Sequence, residues 1–299
     1  MNGAPDPVAI VDVGSNSVRL VVFAGAADTP VYLYNKKVLC GLGAGSTDSG
    51  RLNPEGRIRA MDALQTFAAV IADMGVRVVA GVATAAVREA NDGVEFVNEV
   101  LNQTGIALRV ISGIQEAEYS AKGVLLGWPD ASGLVCDIGG ASMELARISV
   151  GGIGACGTSA LGPLKLLDHK GDVDAVIAQE INELLTVVGR SADRLFLVGG
   201  SWRAVARLDM GRRGHPVEDQ HGYTLTASAL HETIDWIATQ SVEDLCPLAE
   251  RSKGRLPLVP LAARVMAGLL QTVGPKQIIV SGYGLREGVW TEQTARINA

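Results

Sequence analysis

A short pattern, D-x-G-x-x-S, occurs twice in this chain, as Asp12-Val13-Gly14-Ser15-Asn16-Ser17 and as Asp137-Ile138-Gly139-Gly140-Ala141-Ser142. The two copies lie 125 residues apart in a chain of 299. Apolar runs flank each copy, so each reads as strand, tight turn, strand. In both, a charged residue stands seven positions after the Asp: Arg19 in the first and Glu144 in the second. Repetition at matched positions predicts two similar halves, each opening with a glycine-turned hairpin. At roughly 150 residues per domain the length agrees, and the expected domains are 1–128 and 129–299.

Between and after the hairpins, helical and strand patterns alternate. Ile58, Met61, Leu64, Phe67, Ala68 and Ile71 recur at helical spacing within 54–74, and 76–82 is a short Val-rich strand. Helices are expected over 94–101, 114–126, 174–188, 227–239 and 260–273, with strands at 107–112, 195–198 and 277–280. This alternation predicts α/β architecture. The run Gly152 to Gly157 matches GxGxxG, but no acidic residue closes a following strand, so a dinucleotide fold is discarded. P-loop and nucleophile-elbow patterns are absent, and the four histidines have no metal-ligand spacing.

Glycine at the tip of a strand turn lets backbone N–H groups converge on an anion, because no Cβ blocks the approach. Gly14 to Ser17 and Gly139 to Ser142 suit that role, with hydroxyls as further donors. The Asp opening each turn then fits a ligand to Mg²⁺ that neutralises a phosphate. One copy alone would be an ordinary Asp-Gly hairpin; the pair favours the anion reading. Glu116 and Glu118 fall in the first turn of a helix and diverge by about 200°, so only one can face a cleft. A Glu there can deprotonate a water, or simply favour the positive helix end. Arg88, Lys165 and Arg203 are each open to two readings, a phosphoryl clamp or a surface cation.

Composition narrows the partners. A net charge of −6 and only 4% aromatic residues exclude a basic or base-stacking nucleic-acid binder. Charges or glycines interrupt each apolar stretch before the roughly 20 residues of a membrane span. Residues 1–7 have no basic leader. Cys40, Cys136, Cys156 and Cys246 are scattered without a CxxC pair, which suits reduced thiols in a cytoplasmic protein.

Seven segments, in this order, carry a resemblance: 12–17, 83–90, 111–117, 137–144, 161–166, 199–204 and 281–288. Together they resemble the exopolyphosphatase/guanosine pentaphosphatase (Ppx/GppA) family, within the actin/Hsp70/sugar-kinase-like (ribonuclease H-like) superfamily. The resemblance implies two α/β domains of that fold enclosing an interdomain cleft. It implies removal of terminal orthophosphate from inorganic polyphosphate, with the 5′ phosphate of pppGpp as the alternative substrate. A reading of another class is a non-catalytic nucleotide or polyphosphate sensor. By the same resemblance Glu116 is the general base, and Asp137 and Glu144 are catalytic and hold Mg²⁺ (or Mn²⁺) together with Asp12. Gly14, Ser15, Asn16, Ser17, Gly139, Gly140, Ala141 and Ser142 bind phosphates, as do Arg88 and Lys165. A homodimer is also expected. Three departures stand out: Gln115 where many members have Glu, Lys165 where Arg is common, and an end soon after Arg286 without further helical domains.

Overall fold

The computed structural model describes residues 6–25, 29–217, 219–248 and 250–297. The amino-terminal stretch 1–5, read above as lacking a basic leader, lies outside them. The first lobe runs β1 (Val8–Val13), β2 (Ser17–Phe23), β3 (Tyr32–Leu39), α1 (Ser46–Ser49), α2 (Pro54–Asp73), β4 (Val78–Ala83), α3 (Ala85–Glu89), α4 (Gly93–Thr104), β5 (Leu108–Val110) and α5 (Gly113–Gly127). The second runs β6 (Gly133–Ile138), β7 (Met143–Ser149), β8 (Gly152–Ser159), α6 (Pro163–Asp168), α7 (Val173–Val188), β9 (Arg194–Val198) and α8 (Gly200–Arg212). It continues with β10 (Thr224–Leu225), α9 (Ala227–Ala238), α10 (Val242–Leu245), α11 (Val259–Val273), β11 (Gln277–Val280) and α12 (Leu285–Ile297). A 3-10 segment, Glu250–Leu258, leads into α11.

The two sheets repeat one topology. Strand order is β3-β2-β1-β4-β5 in the first and β10-β11-β9-β6-β7-β8 in the second. In each, three strands form an antiparallel meander, and two more run parallel to the strand that opens the hairpin. The GxGxxG run is edge strand β8, paired to β7. In α2, Asn53 caps the helix by accepting the Gly56 N–H at 2.7 Å, and Pro54 sits at the first helical position. Ala60, Leu64, Phe67 and Ile71 then bury the stripe that the spacing predicts, although Ile58 falls off it and is 64% exposed.

The lobes exchange helices. Ala117, Ala121 and Val124 of α5 pack on the second sheet, against Val135, Ala146 and Phe196. Leu285, Val289 and Trp290 of α12 pack on the first sheet, against Val8, Ile10 and Val21. The two helices cross closely enough to need glycine. A Cβ on Gly123 would lie 2.2 Å from the Gly284 carbonyl oxygen, and one on Gly288 2.0 Å from that of Tyr119.

The stretch Gly254–Val273 is long and apolar enough to cross a bilayer by length and composition, with 50% of its most apolar window buried. Arg255, Arg264 and Gly268 interrupt it. Ala262, Val265, Met266, Leu269 and Leu270 from it lie in the core of the second lobe.

Candidate active site

The seven-residue offset between each Asp and its charged follower is a strand register. Turns 14–17 and 139–142 each span four residues, so Asp12 pairs across its hairpin with Arg19 and Asp137 with Glu144. Directly opposed residues share a face. Both turns close with the same bond: Gly14 N–H to the Ser17 carbonyl at 3.0 Å, and Gly139 N–H to that of Ser142 at 2.9 Å. The turns approach each other from opposite lobes, since a Cβ on Gly140 would meet the Ser15 Cβ at 3.2 Å. Both turns line a cleft with about 870 Å³ of space, part of it open to solvent. Ala141 does not reach it and is packed against Gly162.

Glu116 faces this cleft from the fourth position of α5. Ser112 and Gln115 satisfy the helix start as a capping box, so Glu116 is free for other work. It is 7% exposed, whereas Glu118 points outward, as the helical angle requires. Arg88 Nη1 donates to the Ile111 carbonyl at 2.9 Å and lies 3.4 Å from Glu116 Oε2. Burial pushes the Glu116 carboxyl well above its usual range, with Glu144 and Asp137 adding to the rise and Arg88 opposing it. Glu144, also buried, is pushed up to about 8, first by burial and then by Asp137.

Two hydroxyls orient the carboxylates. Ser120, one turn along α5 from Glu116, donates to Asp137 Oδ2. Thr158 on β8 donates to Glu144 Oε1 at 2.9 Å, and only a glycine at 113 leaves room for Thr158 beneath α5. Glu144 Oε2 is buried without a partner. Asp12 Oδ2 accepts from Arg286 Nη1 at 2.8 Å. Among the described residues, no three His, Cys, Asp or Glu side chains converge as a ready-made metal site.

Cations gather in the same cleft: Arg19, Lys37, Arg203, Arg255 and Arg286 line it. Lys37 falls to about 7 through burial and then Arg255. Arg19 falls to about 9, chiefly through Arg286, and Arg255 to about 10 through burial and then Arg203. Arg286 resists its burial because Glu287 and Asp12 hold it charged. Arg255 lies against the start of α8, where a Cβ on Gly200 would fall 1.9 Å from its Nη1. Sequence reasoning named Arg19 only by its spacing, weighed Arg203 without assigning it, and quoted Arg286 within a motif. Lys37 and Arg255 were missed, and no local pattern marks either.

Lys165 is held apart from this group. Its Nζ pairs with Glu89 Oε2 across the lobes, and it lines a separate hollow with His169 and Ser46.

Repeated hairpin-opened sheets, an exchanged helix pair and paired turns over a cleft define a protein of the actin-like ATPase fold. The chain belongs to the Ppx/GppA phosphatase family, whose family model matches residues 21–296. Exopolyphosphatase 1 of Mycobacterium tuberculosis is 25% identical over 298 residues, covering 94% of this chain and 86% of the relative. That of Mycobacterium leprae is 24% identical, covering 94% and 87%. Among solved structures, an exopolyphosphatase from Cytophaga hutchinsonii superposes with a TM-score of 0.87 at 24% identity, covering 97% of this chain and 98% of the other. The Aquifex aeolicus family member gives 0.81 at 23%, covering 98% and 99%.

Proposed function

We propose that the chain is a metal-dependent exopolyphosphatase, a hydrolase that cleaves the terminal phosphoanhydride bond of inorganic polyphosphate and releases orthophosphate. The mycobacterial relatives carry that name. The charge layout of the cleft carries the reading. Lys37 has Arg255, Arg19, Arg203 and Arg286 around it, whereas Glu116 has Glu144, Asp137 and Asp12 against one Arg. A polyanion with its counter-cation relieves both imbalances at once.

In this reading the amides and hydroxyls of the two turns grip the terminal phosphoryl group, and the five cations hold the chain behind it. Glu116 takes the proton of the attacking water. Burial and the neighbouring carboxylates raise its proton affinity, which makes its ionised form the stronger base, and Arg88 opposes that rise in favour of the ionised form. Catalysis is then positioning plus charge stabilisation, as in other phosphoryl transfers.

The acidic end fits Mg²⁺ or Mn²⁺. Its donors are hard oxygens, its carboxylates repel one another, and Glu144 Oε2 lacks a partner. Mg²⁺ commonly takes one or two carboxylates plus substrate oxygens and waters, so Asp137 and Glu144 would hold it, with the Asp12 oxygen not taken by Arg286 as a further donor. The ion supplies charge neutralisation at the phosphoryl oxygens when bound.

Orthophosphate release from polyphosphate tests the proposal. Glu116→Gln is expected to lower kcat by about 10²–10⁴ with KM little changed, and chelation to stop turnover until Mg²⁺ is restored. Equal rates for the variant remove Glu116 from its role; no metal-dependent turnover at all revives the sensor reading. No aromatic side chain stands among the described lining residues to stack a purine, so turnover on pppGpp is expected to be the slower. The reading carries with it a cytoplasmic location and a homodimer, the latter checked by light scattering.

A further inference from the structure

His221 lies on the segment joining α8 to β10, and the reaction above gives it no part. Its ring packs against those of Trp128 and Tyr283, with centroids 4.8 and 4.5 Å away. Glycines make room on two sides: a Cβ on Gly282 would fall 3.1 Å from the His221 Cβ, and one on Gly127 3.1 Å from Cε1. Inside that slot the Gly282 N–H donates to His221 Nδ1 at 3.0 Å. On the other side of the same residue, the Gly282 carbonyl accepts from Arg203 Nη1 at 3.3 Å. Ser281 Oγ donates to the Tyr283 carbonyl at 2.6 Å and accepts the Tyr283 N–H at 3.1 Å. This turn, 281–284, therefore touches one cleft cation directly and leads into a second, Arg286. The histidine's own segment is laced to the same region, through Gly222 N–H to the Val280 carbonyl at 2.9 Å and the Gln220 side chain to the Arg203 carbonyl.

We propose that His221 is a positioning residue whose unprotonated Nδ1 anchors the Ser281–Gly284 turn, so that Arg203 and Arg286 meet the phosphates of the substrate. The inference rests on the reading that those cations bind the phosphate chain. An accepting Nδ1 puts the single ring proton on Nε2. Protonation at Nδ1 sets donor against donor and removes the anchor. Asp219 faces the ring from its own segment, where it accepts the His221 backbone N–H at 3.0 Å. Glu287 faces it from α12 and Tyr283 from the turn; Trp128, just past α5, is uncharged. Burial disfavours the charged ring and outweighs Asp219 and Glu287, so the anchor holds at neutrality and opens in acid.

Two variants and one titration test this. His221→Phe keeps a stacked ring without an acceptor, and His221→Asn loses the ring but carries an oxygen near the Nδ1 position. KM for tripolyphosphate is expected to rise about 3–10-fold in His221→Phe, the worth of one hydrogen bond, with kcat unchanged, and to return toward wild type in His221→Asn. In [15N]glycine-labelled wild-type protein, the Gly282 amide resonance is expected to shift as His221 titrates below neutrality. That readout needs neither turnover nor a variant, so it separates failure of this inference from failure of the assigned reaction. A Gly282 resonance indifferent to His221 protonation overturns the proposal, as does a wild-type KM in folded His221→Phe.

Discussion

Glu144 is held where its negative charge is least welcome. It is 1% exposed, opposite Asp137, with one oxygen unpartnered. Because its proton affinity in the fold exceeds that in the unfolded chain, its contribution to stability is full below pH 4.5 and is lost as pH rises toward about 8. Glu144→Gln is therefore expected to raise Tm at pH 8 by about 2 °C or more, to leave it unchanged near pH 4, and to impair turnover; calorimetry at both pH values checks this. Such exchange of stability for function is common at active sites. Lys37 makes the opposite case. With its charge lost around pH 7, the grip on a polyanion is expected to weaken from pH 6 to pH 8. KM measured across that range should climb in the wild type and stay flatter in Lys37→Arg, whose guanidinium keeps its proton.

At the scale of elements, the repeated turn was the legible part of the sequence. Seven residues from Asp to charged follower is the count for a four-residue turn plus two paired residues on each strand, so register could be read before any coordinates. The place of Glu116 was legible too, because helical geometry lets only one of Glu116 and Glu118 face inward. Lys37 and Arg255 were not. One comes from edge strand β3, the other from the segment before α11, and only tertiary folding brings them together. The opposing partners of the carboxylates, Ser120 and Thr158, were invisible for the same reason. The α5–α12 crossing was likewise hidden, since Gly123, Gly284 and Gly288 look like ordinary members of a glycine-rich chain. Gly288→Ala is expected to cost about 1–3 kcal/mol through overpacking against the Tyr119 carbonyl, read as a lowered midpoint in urea with an unchanged slope.

On the scale of the molecule, two observations bear on how the lobes act together. The Glu89–Lys165 pair spans them at the side of the cleft, but its groups are 43% and 23% exposed. Exposed pairs contribute about 0–1 kcal/mol, so Glu89→Gln is expected to change KM by less than about fivefold, as steady-state kinetics would report. The exchanged helices weigh more. One face of each sheet is covered by a helix from the other lobe, α5 on the second sheet and α12 on the first, and α12 follows all the strands of both. A nascent chain emerging from the ribosome can thus pair β1 to β5, with only Tyr119 and Leu126 of α5 to hand, long before α12 covers Val8, Ile10 and Val21. That apolar face stays open while the second lobe's strands are made, and a patch of this kind is prone to aggregation until α12 arrives.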